Sequence, residues 1–320
     1  MVTLKNIQDA RKAIAPFIKH TPLVQSKFLS TFCGCPLFLK LENLQITGSF
    51  KPRGVFNKLL NLSSEEKEGG IITASAGNHG QAVAFAAQKL NCYARVVVPF
   101  STPKVKISGI KKYGADLVLF GESYDEAERK AKELATKDGC IYISPYNDEL
   151  IIAGHGTIGL EIIEELPNVD TVLVPLGGGG LISGVSVAIK NCKPETEVIG
   201  VQSQASPVMY ESLKAGKVVD FQKVVKKSVA EGLSGNVGPI TFAIVQKYVD
   251  NVVLVKEKTL RHAISLLWNH DKYVIEGSGA AAVAPVMENK SIFKDKIVVS
   301  VLTGGNIDID LFQTILRSER

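Results

Sequence analysis

Lys51 stands in the segment Gln45-Ile46-Thr47-Gly48-Ser49-Phe50-Lys51-Pro52-Arg53-Gly54, after a Gly-Ser turn and before a helical pattern over Val55–Leu60. A lysine near a helix N-terminus feels the positive end of the peptide dipoles, which lowers the pKa of its amine. A partly neutral amine is what Schiff-base chemistry with a carbonyl compound requires. A lone lysine reads as a solvated surface residue, so the argument depends on what else the chain places at strand ends. Three glycine-bearing loops supply that context. The first, Val174-Pro175-Leu176-Gly177-Gly178-Gly179-Gly180-Leu181, is a strand followed by four glycines and a helix. Successive glycines let several N–H groups face one point, and the helix adds its positive end, which makes a cradle for phosphate or a similar anion. The dinucleotide fingerprint needs glycine at its first, third and sixth positions, but the sixth is Ile182 counted from Gly177 and Ser183 counted from Gly178. A P-loop lysine is missing as well, so the cradle fits neither standard nucleotide motif.

The second loop, Thr73-Ala74-Ser75-Ala76-Gly77-Asn78-His79-Gly80-Gln81, leaves a strand and opens a helix. Its N–H groups and the Ser75 hydroxyl suit a carboxylate. Asn78 equally suits a helix N-cap, and His79 alone reads first as structural. The third, Leu302-Thr303-Gly304-Gly305-Asn306, follows the apolar run Lys296–Leu302 and offers a hydroxyl and two glycines where a flat ligand could approach.

These loops need strands and helices to hold them. Strand patterns fall at Ile71–Ala74, Ala94–Val98, Asp116–Phe120, Thr171–Pro175, Glu197–Val201 and Lys296–Leu302. Helical patterns lie between them at Gln81–Leu90, Lys104–Tyr113, Tyr124–Lys137, Leu181–Lys190 and Leu260–Asn269, with a last one at Ile309–Leu316. Apolar strands joined by helices imply an α/β fold with mainly parallel sheets covered on both faces. Ligands in such sheets collect beyond the carboxyl ends of the strands. No Pro/Gly/Ser-rich linker marks a boundary, which suits a smaller α/β unit at 70–147 inserted into a larger one of 1–69 plus 148–320.

The 320 residues carry a net charge of +5, and the densest basic cluster, Lys223–Lys227, holds three lysines and reads as solvated surface. No nucleic-acid partner is expected. The N-terminus lacks the apolar core of a signal peptide, and no run of 18 apolar residues suggests a membrane span. Five cysteines without framework spacing (Cys33, Cys35, Cys92, Cys140, Cys192) suit a reducing cytoplasm, and no metal site is expected.

The segment around Lys51, the Ser-Ala-Gly-Asn-His-Gly loop, the tetraglycine loop and the final Thr-Gly-Gly-Asn together resemble fold-type II pyridoxal-phosphate enzymes, which are similar to the tryptophan synthase β subunit. The closest likeness is to the threonine/serine dehydratases, especially the short catabolic form, and to the serine racemases. It covers nearly the whole chain. The resemblance implies two three-layer α/β domains and pyridoxal 5'-phosphate held through Lys51. It implies Phe50 against the pyridine ring, Asn78 at the 3′-oxygen, Gly177, Gly178, Gly179 and Gly180 with Leu181 at the phosphate, and Thr303 at the pyridine nitrogen. Ser75, Ala76, Gly77 and His79 match the loop that grips the substrate carboxylate, and Glu276 matches an acid near the ring.

The activity implied is loss of water and ammonia from a small β-hydroxy amino acid such as threonine or serine, leaving a 2-oxo acid. Lys51 is then the base, and the protein is expected to be a homodimer or homotetramer. Racemases of this group carry a serine where this chain has Ala76, and an alanine methyl cannot exchange a proton. They also bind a divalent ion through acids after the strand ending Gly200-Val201, where this chain reads Gln202-Ser203-Gln204-Ala205-Ser206-Pro207-Val208. Elimination is therefore favoured over racemisation, and a nicotinamide-dependent oxidoreductase is disfavoured by the failed fingerprint. The chain ends soon after Ile309–Leu316, so the C-terminal regulatory domain of biosynthetic threonine dehydratases is not expected.

Overall fold

In the computed structural model, which describes residues 1–219 and 228–319, two runs of parallel strands carry the loops singled out above. The Lys223–Lys227 cluster lies outside the described residues. The strands are β1 (Leu23–Gln25), β2 (Leu37–Lys40), β3 (Ile71–Ala74), β4 (Ala94–Val98), β5 (Asp116–Leu119), β6 (Ile141–Tyr142), β7 (Thr171–Pro175), β8 (Glu197–Ser203), β9 (Asn251–Val255) and β10 (Val298–Val301). A six-stranded sheet has the order β1-β2-β10-β7-β8-β9, parallel except for β1, which runs antiparallel to β2. A four-stranded sheet, β5-β4-β3-β6, is parallel throughout.

Every residue of β3, β7 and β10 is buried, so each sheet must be covered on both faces. Alternation along the strands assigns the faces. Val172, Val174, Val299 and Val301 of the larger sheet pack on the helices Glu149–Glu165 and Gly180–Cys192. Leu173, Ile199 and Val298 pack on Lys27–Cys33, Glu257–Leu266 and Ile309–Ser318. In the smaller sheet Ile71 and Val96 face Asn78–Lys89, while Ile72 and Val97 face Ala127 and Ala131 of the helix Tyr124–Asp138.

The helix Lys51–Leu60 packs against both Asn78–Lys89 and Glu149–Glu165. Val55, Phe56 and Leu59 enter the core of the smaller sheet, where the Phe56 ring meets Phe17 at 4.9 Å and Phe85 at 5.9 Å. Its opposite side lies on the helix Glu149–Glu165, so close that a Cβ on Gly54 would stand 2.6 Å from His155 Nε2.

Several boundaries differ from the sequence patterns, for local reasons. The helix expected from Val55 begins at Lys51, because Pro52 in the first turn needs no N–H partner. The helix expected from Gln81 begins at Asn78 with Gly77 at its cap position, so Asn78 is not the N-cap. The helix Glu149–Glu165 has no sequence counterpart above. Ile151–Ile162 are buried on all sides, so the apolar stripe that marks an amphipathic helix is missing. Helices at Leu4–Ile14, Val208–Ala215 and Pro239–Tyr248, and strand β9, were not anticipated either.

Candidate active site

Lys51 is the first residue of its helix, and no acidic side chain stands in that first turn to offset the positive helix end. The half-buried amine donates to the carbonyl of Pro145 at 2.7 Å and lies 5.0 Å from the centre of the Phe50 ring. Burial brings its pKa down to about 8, against the opposing pull of Glu276. The Phe50 ring meets His155 edge-on at 4.7 Å. His155 is fully buried, and burial together with the Lys51 charge holds its pKa well below the usual imidazole range, so it is neutral.

Two loops are joined backbone to backbone around this lysine. Phe50 N–H donates to the Thr303 carbonyl at 3.1 Å, Ser49 pairs with Gly304, and Gly305 N–H donates to the Gly48 carbonyl at 3.0 Å. Thr303, just beyond β10, is buried beside Phe50. Glu276 precedes the short helix Gly277–Ala280 and donates its N–H to the Gly304 carbonyl at 3.1 Å. Burial lifts the Glu276 carboxyl to about 7, although a hydrogen bond from Asn78 opposes the shift. That bond runs from Asn78 Nδ2 to Glu276 Oε1 at 2.7 Å, while Asn78 Oδ1 accepts from Asn306 Nδ2 at 2.7 Å.

The loop after β3 lies at the start of the same helix as Asn78. Ser75 Oγ accepts from Gly77 N–H at 3.3 Å, and a Cβ built on Gly77 would meet nothing within 4 Å, so the loop borders open space. Ala76 is half-buried there. His79 turns inward, with Nε2 3.1 Å from the Ile143 carbonyl, and burial lowers its pKa to about 3. Its imidazole is therefore neutral, while the backbone N–H groups of Asn78, His79 and Gly80 form the open end of the helix.

The tetraglycine loop joins β7 to the helix Gly180–Cys192, with Gly179 in the left-handed region at φ 93°. Tyr146 forms its floor. A Cβ on Gly178 would fall 2.6 Å from the Tyr146 ring, and one on Gly180 would fall 2.8 Å from its Cα. Thr241 Oγ1 fixes the loop from outside by donating to the Gly178 carbonyl at 2.7 Å. Tyr146 directly follows Pro145, the partner of Lys51, so the cradle and the lysine rest on adjacent residues of one segment. A bare-backbone cradle, a depressed amine and a helix start bordering open space fit a phosphorylated aldehyde with a flat ring.

Behind the lysine lies a network of charges that sequence reasoning missed. Arg53, fully buried, donates to Glu42 through Nε and Nη2 at 2.8 Å each, and to Glu161 through Nη1 at 2.6 Å and Nη2 at 2.9 Å. Lys40, also fully buried, lies 2.7 Å from Glu161 and 2.9 Å from Glu165. Among the described residues His20, Glu161 and Glu165 are the one group close enough to share a metal ion, but Lys40 already sits on both carboxylates. In the stretch after Val201, Gln202 Oε1 accepts from Tyr210 N–H at 2.8 Å and Ser203 Oγ lies 3.4 Å from Ser228 Oγ. The five cysteines are free, and burial raises the Cys33 thiol to about 11.

Lys51, Phe50, Asn78, Glu276 and Thr303 thus converge, and the glycine loop and the Ser75–His79 loop adjoin them. Asn306 stood in the quoted Thr-Gly-Gly-Asn run and was legible there as a polar residue after two glycines. Tyr146 carried no such signal, and Arg53, although it stands in the run around Lys51, gave no sign of its pairing with Glu42 and Glu161.

Residues 14–304 match the family described as pyridoxal-phosphate dependent enzyme. An L-threonine ammonia-lyase of Thermotoga maritima is 45% identical over 317 residues, covering 99% of this chain and 78% of that protein. The structure of the processed form of threonine deaminase isoform 2 from Solanum lycopersicum superposes with a TM-score of 0.93 at 37% identity, over 98% of this chain and 87% of that one. Maize serine racemase superposes with a TM-score of 0.93 at 31% identity, over 99% and 98% respectively. The chain belongs to the pyridoxal-phosphate dependent enzymes of fold type II, and pyridoxal 5'-phosphate is its cofactor.

Proposed function

We propose that this enzyme is an ammonia-lyase that dehydrates and deaminates L-threonine, L-serine or both to the 2-oxo acid. The observation that carries the reading is the Lys51 amine, brought to about 8 and aimed from a helix start at the segment that floors the glycine cradle. The relatives named as threonine ammonia-lyase and threonine deaminase support the substrate class.

When bound, the cofactor supplies the electron sink. The backbone N–H groups of Gly177–Gly180 and Leu181 would hold its phosphate, Phe50 its ring face and Asn78 its 3′-oxygen. Thr303 would meet the ring nitrogen with a neutral hydroxyl, which leaves that nitrogen without a carboxylate to keep it protonated and favours prompt elimination. Glu276 stands beside Asn78 and can hold a proton near neutral pH. The open helix end at Asn78–Gly80, with Ser75, Ala76 and Gly77, would receive the substrate carboxylate, and His79 would support it from behind. The Lys51 amine, once free, would stand as the base for the Cα proton. Ala76 offers no proton on the opposite face, and this favours elimination over racemisation.

We also infer a smaller unit at 70–147 and a larger one at 1–69 plus 148–320, in keeping with the origin of β3–β6 in 71–142. Among the described residues no helix is long and apolar enough to cross a membrane. A cytoplasmic homodimer or homotetramer is the proposed setting, supported by the free thiols and by exposed Leu44, Val274 and Ile309.

The test is release of 2-oxo acid across a panel of β-hydroxy amino acids by the holoenzyme and by Lys51→Ala. Activity on threonine or serine that vanishes in Lys51→Ala is expected, and no oxo acid from any member of the panel would overturn the reading. Chiral analysis of serine after incubation decides between elimination and racemisation.

A further inference from the structure

We propose that Asn306 is a positioning residue that sets which end of the Asn78 amide points toward the cofactor; this rests on the role given to Asn78 above. The oxygen and nitrogen ends of an amide have nearly the same shape, so packing alone does not choose between them. Only the donors and acceptors around the group can choose. Asn78 lies between two partners: its Nδ2 donates to Glu276 Oε1 at 2.7 Å, and its Oδ1 accepts from Asn306 Nδ2 at 2.7 Å. Asn306 is itself an amide and could turn over, but the same Nδ2 also donates to the Thr47 carbonyl at 2.7 Å. A backbone carbonyl can only accept. The Asn306 nitrogen must therefore face Thr47, the Asn78 oxygen must face Asn306, and the Asn78 nitrogen must face the carboxylate. Turning Asn78 over would set its nitrogen against the Asn306 nitrogen whatever the charge on Glu276, and its oxygen against Glu276 Oε1 whenever that carboxyl is ionised.

The backbone is shaped around this chain of bonds. Thr47, which ends it, has a positive φ of 65°, an uncommon conformation for a β-branched residue. Gly48 follows at φ 74°, and a Cβ there would lie 2.7 Å from Asn306 Oδ1. A Cβ on Gly304 would lie 2.5 Å from Glu276 Oε1 and 3.0 Å from Asn78 Nδ2. Side chains at either glycine would occupy the space the amides use. Asn306 belongs to the loop joined to the Lys51 segment, whereas Asn78 begins a helix of the smaller sheet, so the bond also ties the two units at the cofactor.

The proposal requires that an N–H of Asn78 be left to meet the ionised 3′-oxygen. Losing that donor raises the pH at which the visible absorption of the lysine-bound cofactor titrates and weakens cofactor binding. Asn306→Ala and Asn306→Leu are compared with wild type and with Asn78→Ala. Visible pH titration of the holoenzyme, cofactor titration of the apoenzyme and apoenzyme melting are measured for each. Both Asn306 variants should raise the titration midpoint and weaken cofactor binding about tenfold, in the same direction as Asn78→Ala, while leaving the apoenzyme melt near wild type. Leucine restores the volume of the side chain but not its donor. A wild-type midpoint in Asn306→Leu would mean that Asn306 acts by packing, and would overturn the proposal. If only one variant folds, its midpoint decides. A shift in Asn78→Ala without one at residue 306 overturns the role of Asn306 alone; no shift in Asn78→Ala overturns the role given to Asn78, and this one with it.

Discussion

Replacing Arg53 with methionine tests how firmly the start of the lysine helix is held. Arg53 and Lys40 together carry two positive charges, Glu42 and Glu161 two negative ones, and Arg53, Lys40 and Glu42 are fully buried. Methionine keeps the apolar stem but leaves Glu42 without its ion pair and Glu161 with Lys40 alone. Breaking a buried pair from one side costs about 3–5 kcal/mol. At roughly 2–4 °C per kcal/mol for a domain of this size, the midpoint of apoenzyme melting should fall on the order of 6–20 °C. The pH dependence has a definite sign. Burial alone would raise the Glu161 pKa, but Arg53 and Lys40 outweigh it and hold the value below the ordinary carboxylate range. A lowered pKa stabilises above the unfolded-state value, and that stability is lost as pH falls through the folded-state value. In Arg53→Met the pull on Glu161 is weaker, so its stabilisation at neutral pH is smaller and less remains to be lost on acidification. Melting followed by circular dichroism at pH 7.5 and at pH 3.5, below the ordinary glutamate value of about 4.3, should therefore show the gap from wild type narrowing at the lower pH. Adding Glu42→Gln should recover part of the loss by removing a stranded charge. A fall under about 2 °C, or a gap that widens on acidification, would refute the assignment of the network as a fully paired support for the helix.

Two further outcomes follow from the site. With its amine near 8, Lys51 of the apoenzyme should be labelled by an amine-selective reagent at pH 8 well ahead of ordinary surface lysines, as read by peptide mass spectrometry; parity with the surface set would contradict the depressed value. Gly178→Ala drives a methyl to 2.6 Å from the Tyr146 ring, so cofactor affinity measured by fluorescence titration should fall at least about tenfold, and unchanged affinity would show that the loop can retreat from Tyr146 at no cost.

Much of this molecule was legible because its signals are local. β3, β4 and β7 fall on the expected residues to the last position, since each is a short apolar run bounded by glycine, proline or a polar turn. The loops after β3, β7 and β10 could be read because glycine runs leave a mark in sequence. The helix Glu149–Glu165 could not, because burial on every side removes the periodicity by which a helix is recognised. Arg53 was invisible for another reason. Its partners Glu42, Thr157 and Glu161 are fixed only once the sheet is folded, and the last two stand 104 and 108 residues away in sequence. Asn78 was legible as a helix-start residue, yet its side chain serves Glu276 and Asn306 rather than the cap, a preference decided by partners 198 and 228 residues distant.

The separate origins of the loops bear on how such an enzyme can change. Lys51, the glycine cradle and Thr303 are carried by elements of the six-stranded sheet and the helix anchored to it, whereas Ser75, Ala76 and Gly77 hang from β3 of the four-stranded sheet. On the roles proposed above, retention of the cofactor and the fit of the substrate's carboxylate end would be written largely in different stretches of chain, with Asn78 the residue of the second stretch that serves both. Drift or grafting within the second stretch can explore new amino acids while the first keeps the reactive group in place, provided Val55, Phe56 and Leu59 still find an apolar floor to rest on.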